Sequence, residues 1–429
     1  MKLSRYLKIW PYPQEPGYSL LYSTKRASLV LLPDEEIKAL QNGKSIGDNQ
    51  QTLIELEMLV ADLDDERDEV FSMMDEINRI NPNLSVTIIL GMECNFACTY
   101  CYEGSQKGKA AISDETADRI IEFVKNRFTA DKLKLTLDFY GGEPLIYQSR
   151  IKYFASKLKP FVEARGGEFN FTLVTNGSLL TRKTAEELAR YGLTNAKITV
   201  DGPSDNHNKF RPFKNGAASF DIILNNISQS WDLVKITLGG NFTRENYQDF
   251  PQLLDHLEGM AVGPKQLHQV NFNPVMQVND EFAGPECHGG CESINEPWLV
   301  EASTVLNADA IARGFASPKV SPSPCMVDVN DAFVVHYDGV IYKCPSLIGH
   351  DQFAVGDIEH GVGDYRHSHN LDSWKKQDEC TDCQYLPLCF GGCRYYKFQR
   401  DGHLNGVDCQ RPYWDAALET LVKQGIGQC

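Results

Sequence analysis

Cys94-Asn95-Phe96-Ala97-Cys98-Thr99-Tyr100-Cys101 sets three cysteines at Cys-x3-Cys-x2-Cys spacing, directly after the apolar run Val86 to Leu90. Iron-sulfur clusters are held by thiolates, and a 4Fe-4S cube held by only three of them keeps one iron free to bind something else. A zinc site built from the same residues needs a fourth Cys or His; the next cysteine is Cys287, so zinc would depend on a distant ligand. Three buried thiols in a core turn are the plain structural reading, but that suits one cysteine better than three at fixed spacing.

Outward from this loop the chain alternates strand and helix. Ser85 to Leu90, Leu133 to Tyr140, Phe169 to Thr175, Ala196 to Val200, Val234 to Asn241 and Val270 to Asn273 read as strands, with helical stretches between them. Crossover helices between successive strands give a parallel sheet buried on both faces, hence an α/β fold. In the first crossover Ser113 can cap a helix that carries Ala117, Ile120, Ile121, Val124 and Phe128 on one face. Short polar sequences stand at the strand ends, where parallel α/β barrels place their sites. Gly141-Gly142-Glu143-Pro144 closes the second strand. Its glycines let the backbone approach a ligand closely and its carboxylate can accept from an ammonium, although the same four residues also make an ordinary turn. Thr175-Asn176-Gly177 and Thr199-Val200-Asp201-Gly202 close the next two, with turn chemistry as the plain alternative.

Beyond about residue 275 the periodicity fades and ten of the thirteen cysteines appear. Cys325, Gly339 and Cys344 are followed by Cys380-x2-Cys383-x5-Cys389-x3-Cys393 and then Cys409. So few apolar residues per cysteine make a poor core, and bound metal would supply the missing stability, as iron or as a pair of zinc sites. Cys287 and Cys291 stand apart as an extra ligand pair or a thiol pair, and Cys429 as a tail residue.

Residues 1–80 read as a first unit. Tyr18 to Leu32 forms two strands around Ser23-Thr24-Lys25-Arg26, Pro33-Asp34-Glu35-Glu36 opens a helix, Leu53, Leu56, Leu59 and Val60 share a helical face, and Val70 to Ile80 is helical. With 429 residues and 42% hydrophobic content the chain can build more than one domain. A formal charge of -16 argues against non-specific nucleic-acid or acidic-membrane binding. The start of the chain lacks a signal-peptide core and no stretch has the length of a membrane span, so a cytoplasmic protein is expected. Thirteen cysteines there point to metal or redox chemistry rather than disulfides.

The cysteine loop, with an aromatic residue before its last cysteine, resembles that of the radical S-adenosylmethionine (SAM) enzymes. That resemblance implies a partial (β/α)6 barrel over residues 81–280, with SAM chelated by the open iron and cleaved reductively to a 5'-deoxyadenosyl radical that takes hydrogen from the substrate. It implies Cys94, Cys98 and Cys101 as cluster ligands. Tyr100, Gly141, Gly142, Glu143, Pro144, Thr175, Asn176 and Thr199 become SAM contacts, and Arg211 a partner for the SAM carboxylate unless it pairs with a surface acid.

The cysteine order in residues 281–429 resembles the SPASM domain, which binds two auxiliary 4Fe-4S clusters, making three in all. By that pattern Cys325, Cys344 and Cys393 serve the first, and Cys380, Cys383, Cys389 and Cys409 the second. The family's additional first-cluster ligand has no counterpart in Ser321-Pro322-Ser323-Pro324, which leaves Cys287 or Cys291 to supply it or the site open. Residues 1–80 are similar in element order to winged-helix modules that bind leader peptides by strand addition, with a plain cap on the barrel as the alternative.

The family's usual substrates make the chain an oxidoreductase that matures a ribosomally made precursor peptide, leader plus core, by a thioether or carbon-carbon crosslink or another oxidation. It would be fed electrons by a flavodoxin or ferredoxin. An anaerobic sulfatase maturase, which makes formylglycine, is the alternative; there an acidic residue usually follows the equivalent of Cys344, where this chain has Pro345. A non-catalytic metal or electron-transfer protein is the remaining class, and it gives the barrel and the Gly-Gly-Glu-Pro loop no purpose.

Overall fold

The computed structural model describes residues 1–279 and 290–426; Cys287 and Cys429 lie outside them. Among the described residues fifteen strands run in chain order: β1 (Lys2–Leu3), β2 (Leu7–Pro11), β3 (Tyr18–Ser23), β4 (Leu29–Pro33), β5 (Leu59–Val60), β6 (Asn83–Ile89), β7 (Lys134–Tyr140), β8 (Glu168–Thr175), β9 (Leu193–Thr199), β10 (Lys235–Phe242), β11 (Gln269–Pro274), β12 (Ala332–Val335), β13 (Val340–Tyr342), β14 (Gly356–Asp357) and β15 (Gly361–Val362).

The six strands expected after the N-terminal unit all form and pair in parallel from β6 to β11. Their sheet does not stop there. β12 pairs in parallel with the outer edge of β6, Ala332 opposite Ser85 and Val335 opposite Ile88, and β13, β14 and β15 continue it antiparallel. The cysteine-rich region is therefore built onto the barrel's own sheet.

Alternation along the strands decides which side is core. In β7, Leu135, Leu137 and Phe139 are fully buried, whereas Thr136, Asp138 and Tyr140 point to the other face. The apolar face packs beneath the crossover helices, among them Asp114–Arg127, whose Ser113 Oγ accepts from Thr116 N at 3.0 Å. The inner face is not the apolar surface expected of a parallel sheet buried on both sides. It carries Thr87, Asp138, Lys197, Asn241 and Asn273 and encloses a cavity of about 450 Å³.

Two readings of the sequence need correction. Leu59 and Val60 do not extend a helical face: the helix Asp48–Glu55 ends, and these two residues form β5, paired with Lys2 and Leu3 at the start of the chain. Beyond residue 275 the loss of periodicity conceals the 16-residue helix Pro297–Ala312, which packs on β11 and on the helix Arg411–Gln424. Its buried stripe, Leu299, Ala302, Leu306 and Ala310, is blurred by apolar residues on its other sides, the exposed Val305 among them, so no single stripe betrays it.

The N-terminal unit is a three-stranded sheet, β2-β3-β4, with helices Asp34–Gln41, Asp48–Glu55 and Leu63–Ile80. One of its faces shares a core with the cysteine-rich region, where Tyr6, Trp10, Leu20, Tyr22 and Val70 meet Trp374, Cys380, Cys383, Leu386 and Leu418. Thr24 Oγ1 donates to Gln384 O at 2.6 Å and Tyr22 to Val320 O at 2.9 Å. Among the described residues no helix is long and apolar enough to cross a membrane.

Candidate active site

The cavity opens at the C-terminal ends of the barrel strands, and Cys94, Cys98 and Cys101 all line it. Their loop is pinned to the segment after β9. Ala97 N donates to Pro212 O, Thr99 N to Phe210 O and Lys214 N to Asn95 O, and the rings of Phe96 and Phe213 meet edge to face at 4.8 Å. Burial pushes all three thiols above their ordinary range, Cys101 to about 11. Metal binding must therefore expel protons from them. The Lys107 ammonium hydrogen-bonds to Cys101 and feels the charges of Cys98 and Cys94, which marks the space between the sulfurs as one that a polar group can fill.

Gly141 and Gly142 line the cavity, and their lack of a side chain has a specific cause. A Cβ on Gly142 would lie 2.2 Å from Glu93 O, and one on Gly141, at φ +122°, 2.6 Å from Gly91 O. The glycines let the end of β7 dock on the backbone that leads into the cysteine loop, with Glu143 N donating to Glu93 O at 2.8 Å. Glu143 itself is fully buried and does not line the cavity. Its carboxylate accepts from Thr175 Oγ1 at 2.7 Å, Asn176 N at 2.8 Å and Leu145 N at 3.0 Å. Burial still pushes it above the usual carboxylate range. It is a latch between the ends of β7 and β8, and Pro144 starts the short turn of helix behind it.

Asn176, held by that latch, reaches the cysteine loop: its Nδ2 donates to Asn95 Oδ1 at 2.8 Å, while Asn95 Nδ2 donates to Ser178 Oγ at 2.9 Å. Thr175, Asn176 and Thr199 all line the cavity. Tyr100 is the other anchor. Its hydroxyl donates to the fully buried Asp201 and accepts from Arg211 Nη1 at 2.6 Å and from Asn241 Nδ2 at 3.0 Å. Arg211 is thus buried in the site instead of pairing at the surface, and its Nε is enclosed with no partner. A buried donor left in that state is costly, and an anionic ligand group in the cavity would satisfy it.

Several residues were invisible as site members in the sequence. Asp201 and His207 looked like turn and helix residues, yet Asp201 N donates to His207 Nδ1 at 3.0 Å and so fixes the loop that carries Arg211. Asn241 sits at the end of a strand whose Gly239-Gly240 pair could have been the signal. A Cβ on Gly240 would meet Val200 O at 2.5 Å.

The C-terminal cysteines stand in two groups. Cys344 lies within electrostatic reach of Cys325 and Cys393, and burial first, then those neighbours, pushes it up to about 12. Cys389 is likewise raised to about 12 by burial and by Cys383, Cys380 and Cys409. Arg394 bridges the first group: its guanidinium takes both oxygens of Asp328 at 2.7 and 3.1 Å, tying the segment after Cys393 to the one after Cys325. Cys291 is fully buried in a different apolar cluster, with its thiol 3.3 Å from the Tyr396 hydroxyl. Among the described residues no three His, Cys, Asp or Glu side chains converge on one point as the ligands of a single ion would.

A family model of the radical SAM superfamily matches residues 88–257. The serine-type anaerobic sulfatase-maturating enzyme of Bacteroides thetaiotaomicron is 23% identical over 392 residues, covering 78% of this chain and 91% of that protein. Two solved structures share the fold. One, native anSMEcpe with bound AdoMet and Kp18Cys peptide, superposes with a TM-score of 0.63 at 19% identity over 80% of this chain and 99% of that one. The other, Streptococcus suis SuiB bound to precursor peptide SuiA, gives 0.56 at 13% identity over 95% of this chain and 98% of that one. With the cysteine loop at the mouth of its six-strand parallel barrel, the part of the chain that matches this model, residues 88–257, is a radical SAM domain, and the cysteine-rich region is built onto the same sheet.

Proposed function

We propose that this enzyme matures a ribosomally made precursor peptide, oxidising or crosslinking a core residue, with three 4Fe-4S clusters and SAM as cofactors. Cys94, Cys98 and Cys101 hold the cluster that binds SAM. Bound there, SAM supplies, on reductive cleavage, the agent that abstracts hydrogen from the substrate. Gly141 and Gly142 offer backbone groups to its amino end, Thr199, Thr175 and Asn176 polar contacts, and Arg211 its free Nε to the carboxylate. Glu143 and Tyr100 act by holding these groups in place. Cys325, Cys344 and Cys393 hold the first auxiliary cluster, and Cys380, Cys383, Cys389 and Cys409 the second; Cys291, on Tyr396, stays outside both.

The observation that carries the reading is the reach of the cavity. It extends from the three loop cysteines to Met326, Pro345 and Ser346, the neighbours of Cys325 and Cys344. A substrate inside it lies between a site that takes hydrogen and one that can take an electron. The N-terminal unit supports a leader-binding role, since β4 is an edge strand with Leu29 exposed and strand addition needs such an edge. The match to SuiB, at 95% of the chain, includes this unit. Electrons come from a flavodoxin- or ferredoxin-type donor.

Formylglycine formation on a sulfatase is the second reading, favoured by the likeness to the sulfatase-maturating enzymes. The position after Cys344 does face the cavity, but it is Pro345 and offers no base.

The test is anaerobic reconstitution followed by iron and sulfide analysis and deoxyadenosine formation from SAM with dithionite. Iron near three clusters, falling by one cluster with loss of deoxyadenosine when Cys94, Cys98 and Cys101 are changed to Ala, is expected. Zinc in place of iron, or deoxyadenosine unaffected by the triple change, overturns it. Mass spectrometry of a precursor peptide encoded beside the gene, against a sulfatase-derived peptide, separates the two substrates.

A further inference from the structure

Inside the barrel, one pleat below Thr199 on the same face of β9, stands Lys197. The other cations of the cavity are committed. Arg211 is bound to Tyr100 and Lys107 to Cys101; Asp138 accepts from Thr172 Oγ1 at 2.6 Å. The Lys197 ammonium has no hydrogen bond and no ion pair within 4 Å among the described residues; Asp138 is near enough for its carboxyl to feel the charge, but no closer. Space for the lysine has been made. A Cβ on Gly239 of the neighbouring β10 would press on Lys197 Cε at 3.2 Å, so the glycine leaves the stem room to lie along the cavity wall. A cation that a barrel interior keeps unpaired, and clears room for, is one whose partner arrives with a ligand.

We propose that Lys197 anchors a carboxylate within the barrel, and that this carboxylate is a side chain of the substrate peptide, an Asp or Glu at or beside the modified residue. The proposal rests on the peptide-maturase reading above and names the residue class it selects. SAM also carries a carboxylate, but Arg211, at the rim among the strand ends, already offers a free donor there. Lys197 lies beneath that rim, opposite Val174 of β8 and with its stem against Gly239 of β10, both cavity-lining.

The experiment is calorimetry on the anaerobically reconstituted enzyme, wild type, Lys197→Met and Lys197→Arg, titrated first with SAM. The acetylated, amidated tripeptides Gly-Asp-Gly, Gly-Glu-Gly, Gly-Asn-Gly and Gly-Gln-Gly follow, with SAM present and absent. The expected result is SAM affinity within about twofold in all three proteins, with at least about tenfold tighter binding of an acidic tripeptide than of its amide in the wild type. That preference disappears in Lys197→Met and persists in Lys197→Arg. A tenfold loss of SAM affinity in Lys197→Met assigns the lysine to SAM and overturns the proposal, as does the absence of any preference for the acid in the wild type. Failure of the wild type to bind SAM instead overturns the parent reading, and the acid preference is then read from the SAM-free titrations.

Discussion

Removing one oxygen from Tyr100 tests how the SAM site is held. Tyr100→Phe keeps the ring and leaves three groups without a partner. Arg211 loses the hydrogen bond of its Nη1 when its Nε already has none, Asn241 Nδ2 loses its acceptor, and Asp201 keeps Asn241 N at 2.8 Å while its other oxygen retains only Arg211 at 4.0 Å. An unsatisfied buried polar group costs roughly 1–3 kcal/mol, and breaking a buried charged network about 3–5 kcal/mol. The network ties the cysteine loop to the ends of β9 and β10, so the cost falls on the cysteine loop and on the orientation of Arg211. If the ligand must repay about half of it, SAM affinity drops by roughly tenfold or more, at 1.4 kcal/mol per factor of ten. The assays are calorimetric SAM affinity and the rate at which the reconstituted loop cluster yields iron to a chelator, with the auxiliary cysteines intact. SAM affinity within twofold of wild type, together with unchanged iron release, would refute the argument that the hydroxyl is the tie between loop and barrel.

Gly142→Ala, whose Cβ would lie 2.2 Å from Glu93 O, should abolish loop-cluster assembly, whereas Gly108→Ala, in the segment after the cysteine loop, meets nothing within 4 Å and should be neutral in iron content. Arg394→Met leaves the Asp328 carboxylate buried without its bidentate partner, at a cost of about 3–5 kcal/mol. Iron should fall by about one cluster per chain while SAM binding persists. His207 is fully buried, accepts from Asp201 N and so is neutral; burial first, then Arg211, lowers its pKa to about 3. Its folded value lies below the unfolded one near 6.5, so its contribution to stability is complete above pH 6.5 and declines below it, by about 1.4 kcal/mol per pH unit until the folded value is reached. Hydrogen exchange of segment 199–211, corrected for intrinsic rates, should therefore accelerate about fivefold between pH 6.5 and 5.5, and much less in His207→Asn.

The barrel was legible because its strands are short apolar runs bounded by turn residues and its crossover helices carry a single stripe. The cysteine loop was legible because three cysteines at fixed spacing stand out in the sequence, and all three line the cavity. What escaped is set by contacts distant in sequence. β5 exists only because Lys2 and Leu3 are there to pair with it, which no local pattern around Leu59 can report. The helix Pro297–Ala312 carries apolar residues off its buried stripe, the exposed Val305 among them, and so lacks the clean polar face that identifies a helix. Glu143 and Arg211 show the same limit at the site. The motif containing the carboxylate was visible, but its use as a latch on Thr175 and Asn176 follows from the meeting of β7 and β8. The arginine stood among surface-like residues, His207-Asn208-Lys209-Phe210, and is drawn inside by the Tyr100 hydroxyl.

The register of the long sheet explains why loop site and first auxiliary group face one cavity. β6 runs up to the cysteine loop, and β12 lies parallel beside it with Val334 opposite Thr87, a cavity residue. β13 returns antiparallel, Tyr342 opposite Val334, so the chain delivers Cys344 toward the opposite end of β6 from Cys94. Pro345 and Ser346 then reach the cavity from that side, joined by Met326 beside Cys325. Hydrogen bonding along β6, β12 and β13 thus fixes the separation of the two cysteine sites, and the inner-face residues Asp138 and Lys197 line the cavity that both reach. The second group, Cys380, Cys383, Cys389 and Cys409, has no residue on that cavity, and Cys380 and Cys383 sit in the core shared with the N-terminal unit. The first group is therefore tied to the barrel's sheet, while the second is tied to the N-terminal unit and its sheet β2-β3-β4.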